Sequence, residues 1–519
     1  MSGDLMTTTL AVIGVASLLA VTARRFHATG NLPTLEGWAL ADRGLGPLWT
    51  WFLLGSTIFT AYTFIAVPGL VSATGAPAFF PLPYTVIICP LAFLLLPRLW
   101  SVARDHGYVT VADFVRGRYG SPTLALVVAL TGILATMPYL ALQVVGIRAV
   151  LVAAGIPART AAGDLVMVVL FAGLAVATYR RGLRAPTVIS AFKTLAVFCS
   201  AIAVLGYVLV RVGGLGTIFA AASTRLAEQH PAGSGALLLT SAQQPAFATL
   251  ALGSALALFM YPHVLTVGFA ATGRDTLRRA SVALPAWTAI LAVFAFFGIA
   301  ALAAGVHTPP GRGEATVPLL VLHVMPAPVA GLVFGALIVG GLVPAAVMSI
   351  SAATSFVRNV YVEYFHPTAT PKRQVRIAKA VSLTAKVGAI AFVFGLRDQD
   401  AINLQLLGGV WILQIFPAVV VGLFTRRLHH RALLAGWATG MAGGTYSVVH
   451  AGFSPVVSVG PPGHAIGLYA GIVALVLNLV VTIAATAVLE RLGTPRAPDT
   501  TTLPARMTTK NSPESGANR

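Results

Sequence analysis

The residues of this chain best able to do chemistry stand where plain hydrocarbon-soluble helix would be expected. The apolar run that begins near Ala327 carries Ser349, Ser351, Thr354 and Ser355, then breaks into Arg358, Asn359, Tyr361 and Glu363. Small hydroxyls at such spacing do nothing for solubility in lipid. They either let another helix approach closely or coordinate something small. Two lysines, Lys193 and Lys386, also fall inside apolar runs. An amine in a membrane span is costly enough to be functional by default. The alternative for Lys193 is a side chain snorkelling to the surface, since eight residues separate it from Arg184. A membrane enzyme would need a paired carboxylate, a His–metal cluster or a nucleophile constellation inside the helices. Fifteen acidic residues, nearly all in loops or flanks, supply none, so no catalysis is expected.

Membrane helices must position these groups. The chain is 57% hydrophobic and 9% charged, against roughly 25% charged in soluble domains. It reads as an all-α polytopic membrane protein with one membrane domain, over residues 1–492, because no long polar stretch could form a second. About 20 apolar residues cross a bilayer. Thirteen runs are expected to do so, at roughly 6–23, 47–72, 77–97, 122–153, 161–179, 185–210, 245–272, 281–305, 327–357, 376–396, 401–425, 431–452 and 466–490. The first has no basic segment before it, and Arg24 and Arg25 follow it, which argues for a retained helix over a cleaved signal peptide. Residues 493–519, rich in Pro, Thr, Ser, Asn and Gly, are expected to form a disordered tail. Cys89 and Cys199 lie in apolar runs and are expected to be buried structural thiols rather than a disulfide or metal site.

The formal charge of +19 would suggest nucleic acid only if it clustered on a soluble face. The basic residues instead sit in short loops between apolar runs. With the N-terminus outside, 26 of the 34 fall in cytoplasmic segments and six in outer ones (Arg148, Arg159, Arg211, Arg225, Arg312 and Arg397). By the positive-inside rule this places the N-terminus outside and the C-terminus in the cytoplasm of a plasma-membrane protein.

Two runs are interrupted. Residues 47–72 contain Gly55, Ser56, Thr57, Thr60, Thr63, Pro68 and Gly69; residues 245–272 contain Gly253, Ser254, Pro262, His263 and Gly268. Each can unwind in mid-membrane, and unwound backbone needs a cavity because it cannot face lipid. The two spans are five apart, as equivalents in two five-helix repeats of opposite orientation would be. Paired broken helices point to a transporter binding site, with ordinary Pro and Gly kinks as the alternative. Gly331/Gly335 and Gly436/Gly440/Gly444 have the spacing of helix-packing faces.

Several stretches resemble the sodium:solute symporters. DRGLGPLWTWFLLGSTIFTAYTFIAVPGL (42–70) looks like their first core helix, and HGYVTVADFVRGRYG (106–120) like their cytoplasmic loop. FMYPHVLTVGFAA (259–271) resembles the broken sixth core helix and PAAVMSISAATSFVRNVY (344–361) the eighth. Within the family the likeness is to bacterial monocarboxylate uptake permeases, through AYT–IAVP, ATMPY–ALQ, ALGSALA–FMYPH and LQLLGG–WILQ at 61–68, 135–143, 251–263 and 404–414. The resemblance implies a LeuT-like core of five plus five inverted-repeat helices, with repeats at about 47–210 and 245–425. Helices 6–23, 431–452 and 466–490 are then peripheral. It implies cation-coupled uptake of lactate, pyruvate, propionate, acetate or alanine by alternating access, with no cofactor beyond the coupling ion.

Carried over by position, the family's sodium site would use the Ser56 and Phe59 carbonyls, the Ala346 carbonyl, the Ser349 hydroxyl and position 350. Position 350 is Ile where many members have Ser or Thr, so one oxygen is missing unless Ser351 or a carbonyl replaces it. In some proton-coupled carriers of similar architecture a fifth-helix lysine replaces the ion. Lys193, in SAFKTLAVF, is therefore the candidate for carrying a coupling proton. The substrate carboxylate needs donors, and half-helix N-termini supply some. The side-chain candidates are Tyr62, Thr63, Tyr84, Gln143, Tyr261, His263, Trp411 and Gln414. Asp113, Arg116 and Arg118 are expected to brace the cytoplasmic loop against moving helices, while Lys386 and Gln405 receive no role.

The competing reading from another class is a membrane sensor, since related folds occur fused to kinases, but no such domain follows Leu492. A channel is disfavoured because no ring-forming charge or filter motif is visible.

Overall fold

A computed structural model describes residues 3–22, 34–156, 160–230, 236–309, 312–395, 398–461 and 464–501. Arg24, Arg25, Arg159, Arg397, the Gln405 side chain and the tail beyond Thr501 lie outside the described residues. In lipid the backbone can pair only with itself, so the apolar runs become helices. In order these are α1 (Gly3–Thr22), α2 (Pro47–Ile58), α3 (Tyr62–Thr74), α4 (Pro81–Asp105), α5 (Val111–Tyr119) and α6 (Pro122–Ala153). Then follow α7 (Ala161–Arg181), α8 (Arg184–Arg211), α9 (Leu215–Gln229), α10 (Gln244–Leu258), α11 (Pro262–Phe269) and α12 (Arg274–Ala303). The last are α13 (Thr316–Val324), α14 (Ala327–Phe356), α15 (Pro371–Gly395), α16 (Asp398–Leu413), α17 (His430–His450) and α18 (Ala470–Arg491).

Every expected run contains helix, but the count of thirteen spans is not reached. Among the described residues seven helices are long and apolar enough to cross a membrane, or nine if each bent pair is one span. The shortfall has plain causes. The apolar stretch of α1 is short. The first turns of α15 carry Lys372, Arg373, Arg376 and Lys379. The last run still counts as a span although its start, Ile466–Tyr469, is a strand (β2) paired antiparallel with Val456–Val459 (β1). α9 and α13 are helices that no expected span covers.

Both interrupted runs are broken. α2 and α3 meet at 52°, α10 and α11 at 48°. At the first break Phe59 is extended (φ −95°, ψ 98°), and α3 opens with a widened turn at Tyr62–Ala66 just ahead of Pro68. At the second, Tyr261 is extended (φ −66°, ψ 129°) immediately before Pro262. The proline ring disfavours helical geometry at the residue before it.

The glycine faces pack as their spacing predicts. A methyl at Gly331 would overlap Thr8, and one at Gly335 would overlap Val12, so α1 lies directly on α14. Gly436 meets Thr482, Gly440 meets Gln414 and Gly444 meets Ala474, which joins α17 to α18 and α16. The cysteines do not both behave as buried thiols: Cys89 is half-buried and Cys199 is exposed on the outside of the bundle.

The loop around α5 is braced as expected. Thr110 and Asp113 form a capping box. Asp113 also accepts from Asn359 Nδ2 at 2.9 Å and Arg358 Nε at 3.3 Å, beyond the end of α14. Arg116 pairs with Glu363. The tail needs a correction, because its first nine residues are ordered. Thr500 N donates to Gly117 O at 2.8 Å, Asp499 pairs with Arg118 at 3.0 Å and Arg426 at 3.4 Å, and Arg496 donates to the Arg426 and Arg427 carbonyls at 3.0 and 2.7 Å. Composition alone could not reveal that carbonyls left over at helix ends would hold this segment.

Candidate functional site

The first break frees two carbonyls in the middle of the bundle. In an unbroken helix the Ser56 oxygen would accept from residue 60, but the extended Phe59 forbids it. Lys193 on α8 fills the gap: its Nζ donates to Ser56 O at 2.7 Å and to Phe59 O at 2.9 Å. The ammonium also lies 5.4 Å from the Phe64 ring and 5.9 Å from the Trp287 ring, close enough for cation–π attraction. Phe59 stacks on Trp287 at 5.5 Å, so rings close the apolar side of the seat. Lys193 is fully buried, and among the described residues no carboxylate pairs with it. It does not snorkel to the surface.

The other proposed ligands belong to α14. Ser349 Oγ donates to Ala346 O at 2.8 Å and accepts from Ser382 Oγ at 3.2 Å, and Lys386 Nζ donates to Ser382 at 2.9 Å. An ammonium can only donate, so this buried chain runs one way, from α15 into α14. Ile350 is placed elsewhere, in a cluster with Leu35, Trp38 and Val375, and its carbonyl accepts from Thr354. Ser351 donates to Met348 O on its own helix at 2.9 Å, so its proton is used locally.

A small cavity of about 40 Å³ lies beside the two breaks. It has room for a water or two and must widen before a three-carbon acid enters. Five tyrosines line it, Tyr62, Tyr84, Tyr139, Tyr261 and Tyr469, together with Ser254, Leu258 and Leu406. Tyr139 accepts from Thr60 Oγ1 at 3.3 Å, and Tyr469 Oη lies 3.5 Å from Leu406 O. Among the described residues the Tyr261 hydroxyl has no partner, and no Lys, Arg, Asp or Glu lines the cavity.

Tyr62, Tyr84 and Tyr261 therefore come together on one cavity. His263 stands next to them, its ring 5.5 Å from Tyr139 and 5.4 Å from Tyr261, with neither ring nitrogen hydrogen-bonded. Thr63 is buried within the first turn of α3. The other three candidates do not line the cavity. Gln143 repairs the break: its Oε1 accepts from Ala61 N at 3.0 Å while Nε2 donates to Tyr139 O at 3.0 Å. Trp411 donates to Thr445 on α17 at 2.9 Å. Gln414 donates to Val410 O at 2.9 Å and accepts from Asn478 on α18. Tyr139 and Tyr469 were not among the candidates. Tyr139 sits inside the ATMPY–ALQ pattern, whereas Tyr469 ends the second strand of a hairpin that no periodicity announces.

The sequence profile of the sodium:solute symporter family matches residues 38–440. The chain belongs to the sodium:solute symporter family. This symporter is 41% identical over 501 residues to the monocarboxylate transport permease protein of Rhizobium johnstonii, across 96% of the chain and 100% of that relative. It is 30% identical over 453 residues to the uncharacterized symporter YodF of Bacillus subtilis, across 85% of the chain and 88% of that relative. Among solved structures, that of a Na+-coupled sialic acid symporter in a substrate-bound outward-open state aligns with a TM-score of 0.75 at 14% identity. It covers 93% of the chain and 98% of that protein, and it shows the fold. The inverted-repeat, all-α expectation therefore holds, and the symporter is a multi-pass membrane protein that carries a small solute.

Proposed function

We propose that this symporter imports small monocarboxylates of the lactate, pyruvate, propionate and acetate type by cation symport and alternating access. The observation that carries the reading is that Tyr62, Tyr84, Tyr139 and Tyr261 line one cavity beside the two helix breaks. A carboxylate is acceptor-only and takes about four hydrogen bonds. Four phenolic donors suit it, with Leu258 and Leu406 against a short apolar tail. The name of the Rhizobium johnstonii relative supports the same class. The loop charges favour an N-terminus outside and a C-terminus in the cytoplasm of the plasma membrane, and an inward cation gradient across that membrane drives import.

Sodium is the coupling ion the family suggests, and the Ser56, Phe59 and Ala346 carbonyls with the Ser349 hydroxyl are its ligands in that reading. A specific observation favours the proton instead: the Lys193 ammonium already engages the Ser56 and Phe59 oxygens. An amine in that seat can gain and lose a proton where sodium would enter and leave. The test is uptake of labelled lactate and pyruvate into proteoliposomes with sodium and proton gradients imposed separately. Accumulation on either gradient is expected. Sodium dependence at fixed pH that persists in Lys193→Ala would overturn the proton reading, and no accumulation on either gradient would overturn the transport reading.

A further inference from the structure

The seat and the cavity are joined by consecutive residues of the first break. Phe59 gives its carbonyl to Lys193 at 2.9 Å. The next residue, Thr60, is fully buried and turns its side chain the other way. Its hydroxyl oxygen accepts from Tyr62 N at 3.2 Å, while its proton goes to Tyr139 Oη at 3.3 Å. One hydroxyl thus caps the first turn of α3 and fixes a phenol of the cavity, one peptide bond from the cation seat. A hydroxyl that donates to the Tyr139 oxygen leaves the phenolic proton free to turn toward a ligand.

We propose that Thr60 is the positioning residue that couples the cation seat to the substrate cavity. Whatever holds the Phe59 carbonyl sets the Phe59–Thr60 peptide, and the peptide sets where the Thr60 hydroxyl sits relative to Tyr139 and Tyr62. A change of cation state at the seat is then felt in the cavity without any direct contact between cation and carboxylate. The inference rests on the proposed function. It adds a specific link, because Thr60 touches neither the cation nor the carboxylate.

The test compares Thr60→Val, which keeps shape and removes the hydroxyl, with Thr60→Ser, which keeps the hydroxyl. Two readouts are needed in proteoliposomes: gradient-driven accumulation of labelled lactate, and lactate/lactate exchange at saturating substrate without a gradient. Thr60→Val is expected to lose at least tenfold in accumulation, keep exchange within about threefold of the parent, and raise KM for lactate (one hydrogen bond lost is roughly fivefold to tenfold). Thr60→Ser is expected to retain both. Thr60→Ala, which also removes the hydroxyl while leaving every proposed substrate donor in place, should show the same split and carries the test should Thr60→Val fail to fold. Parental accumulation in Thr60→Val, or equal losses in Thr60→Val and Thr60→Ser, overturns the coupling role while leaving the proposed function standing. Absence of accumulation by the unsubstituted protein on either gradient overturns both.

Discussion

The ammonium of Lys193 lies 2.7 Å from the carbonyl oxygen of Ser56, in the opening that the break of the first core helix leaves. The lysine both closes the backbone ledger of the broken helix and places a titratable amine at the centre of the bundle. Lys193→Met tests the first role directly. It strips the donors from two buried carbonyls, each costing about 1–3 kcal/mol when left unmet. Thermal unfolding in detergent should show a loss of roughly 2–5 kcal/mol together with loss of gradient-driven uptake. An unfolding temperature within a degree or so of the parent would mean that the two carbonyls are satisfied by other means.

Tyr261 tests the cavity itself. Tyr261 lines the cavity and its buried hydroxyl has no partner among the described residues, so Tyr261→Phe removes nothing that folding uses. Stability should stay within about 0.5 kcal/mol of the parent, while KM for monocarboxylate rises about tenfold if one hydrogen bond to the bound acid is lost. Tyr261→Ala, which also removes the ring packed on Tyr139 and His263, should abolish uptake with protein abundance kept. Unchanged uptake kinetics in both variants would remove Tyr261 from the substrate site.

Gly55 tests the ring wall behind the seat. A methyl group there would overlap the indole of Trp287, which is itself stacked on Phe59 and lies beside Lys193. The indole is fully buried and has no room to retreat. Gly55→Ala should therefore destabilise by about 1–3 kcal/mol and impair coupling along with folding. Gly14, where an added methyl would meet nothing within 4 Å among the described residues, is the control, and Gly14→Ala should unfold like the parent. Melting curves of the two purified variants decide the matter.

How much of this was legible depended on whether a signal was local. Helix positions followed from apolar run length. Both breaks followed from clustered Gly, Ser and Thr and from Pro262, whose ring acts on its immediate neighbour. Lys193 stood out because one amine in an apolar run is conspicuous. Its two carbonyl partners came from family resemblance, since backbone ligands leave no trace in side-chain identity. Trp411 and Gln414 were misjudged because the sequence shows a polar residue on a helix but not which face meets α17 and α18. Tyr469 was missed for the converse reason, since a hairpin between two helices brings it to the cavity from 400 residues away from Tyr62 in round terms. The hydroxyl chain from Lys386 to Ser349 needed the packing of α15 on α14, which no periodicity encodes.

Asp499 tests whether the ordered start of the tail restrains the loop next to the core. Its carboxylate bridges Arg118 at 3.0 Å and Arg426 at 3.4 Å, and the Arg118 side chain is only 10% exposed. Thr500 seals the arrangement onto Gly117, within α5. Through Asp113, α5 also holds the residues that follow α14. Asp499→Asn keeps the shape and removes the charge from this network, and should cost about 1 kcal/mol. Amide hydrogen exchange over 111–119 should then speed up roughly fivefold (the same free energy as a rate), and the effect should shrink at high salt as the charges are screened. The pair Arg278–Asp275 is the control, being 51% and 83% exposed. Asp275→Asn should change exchange in its own helix by less than about twofold, because so exposed a pair contributes almost nothing. Equal, salt-independent effects of the two substitutions would show that the tail lies on α5 without restraining it.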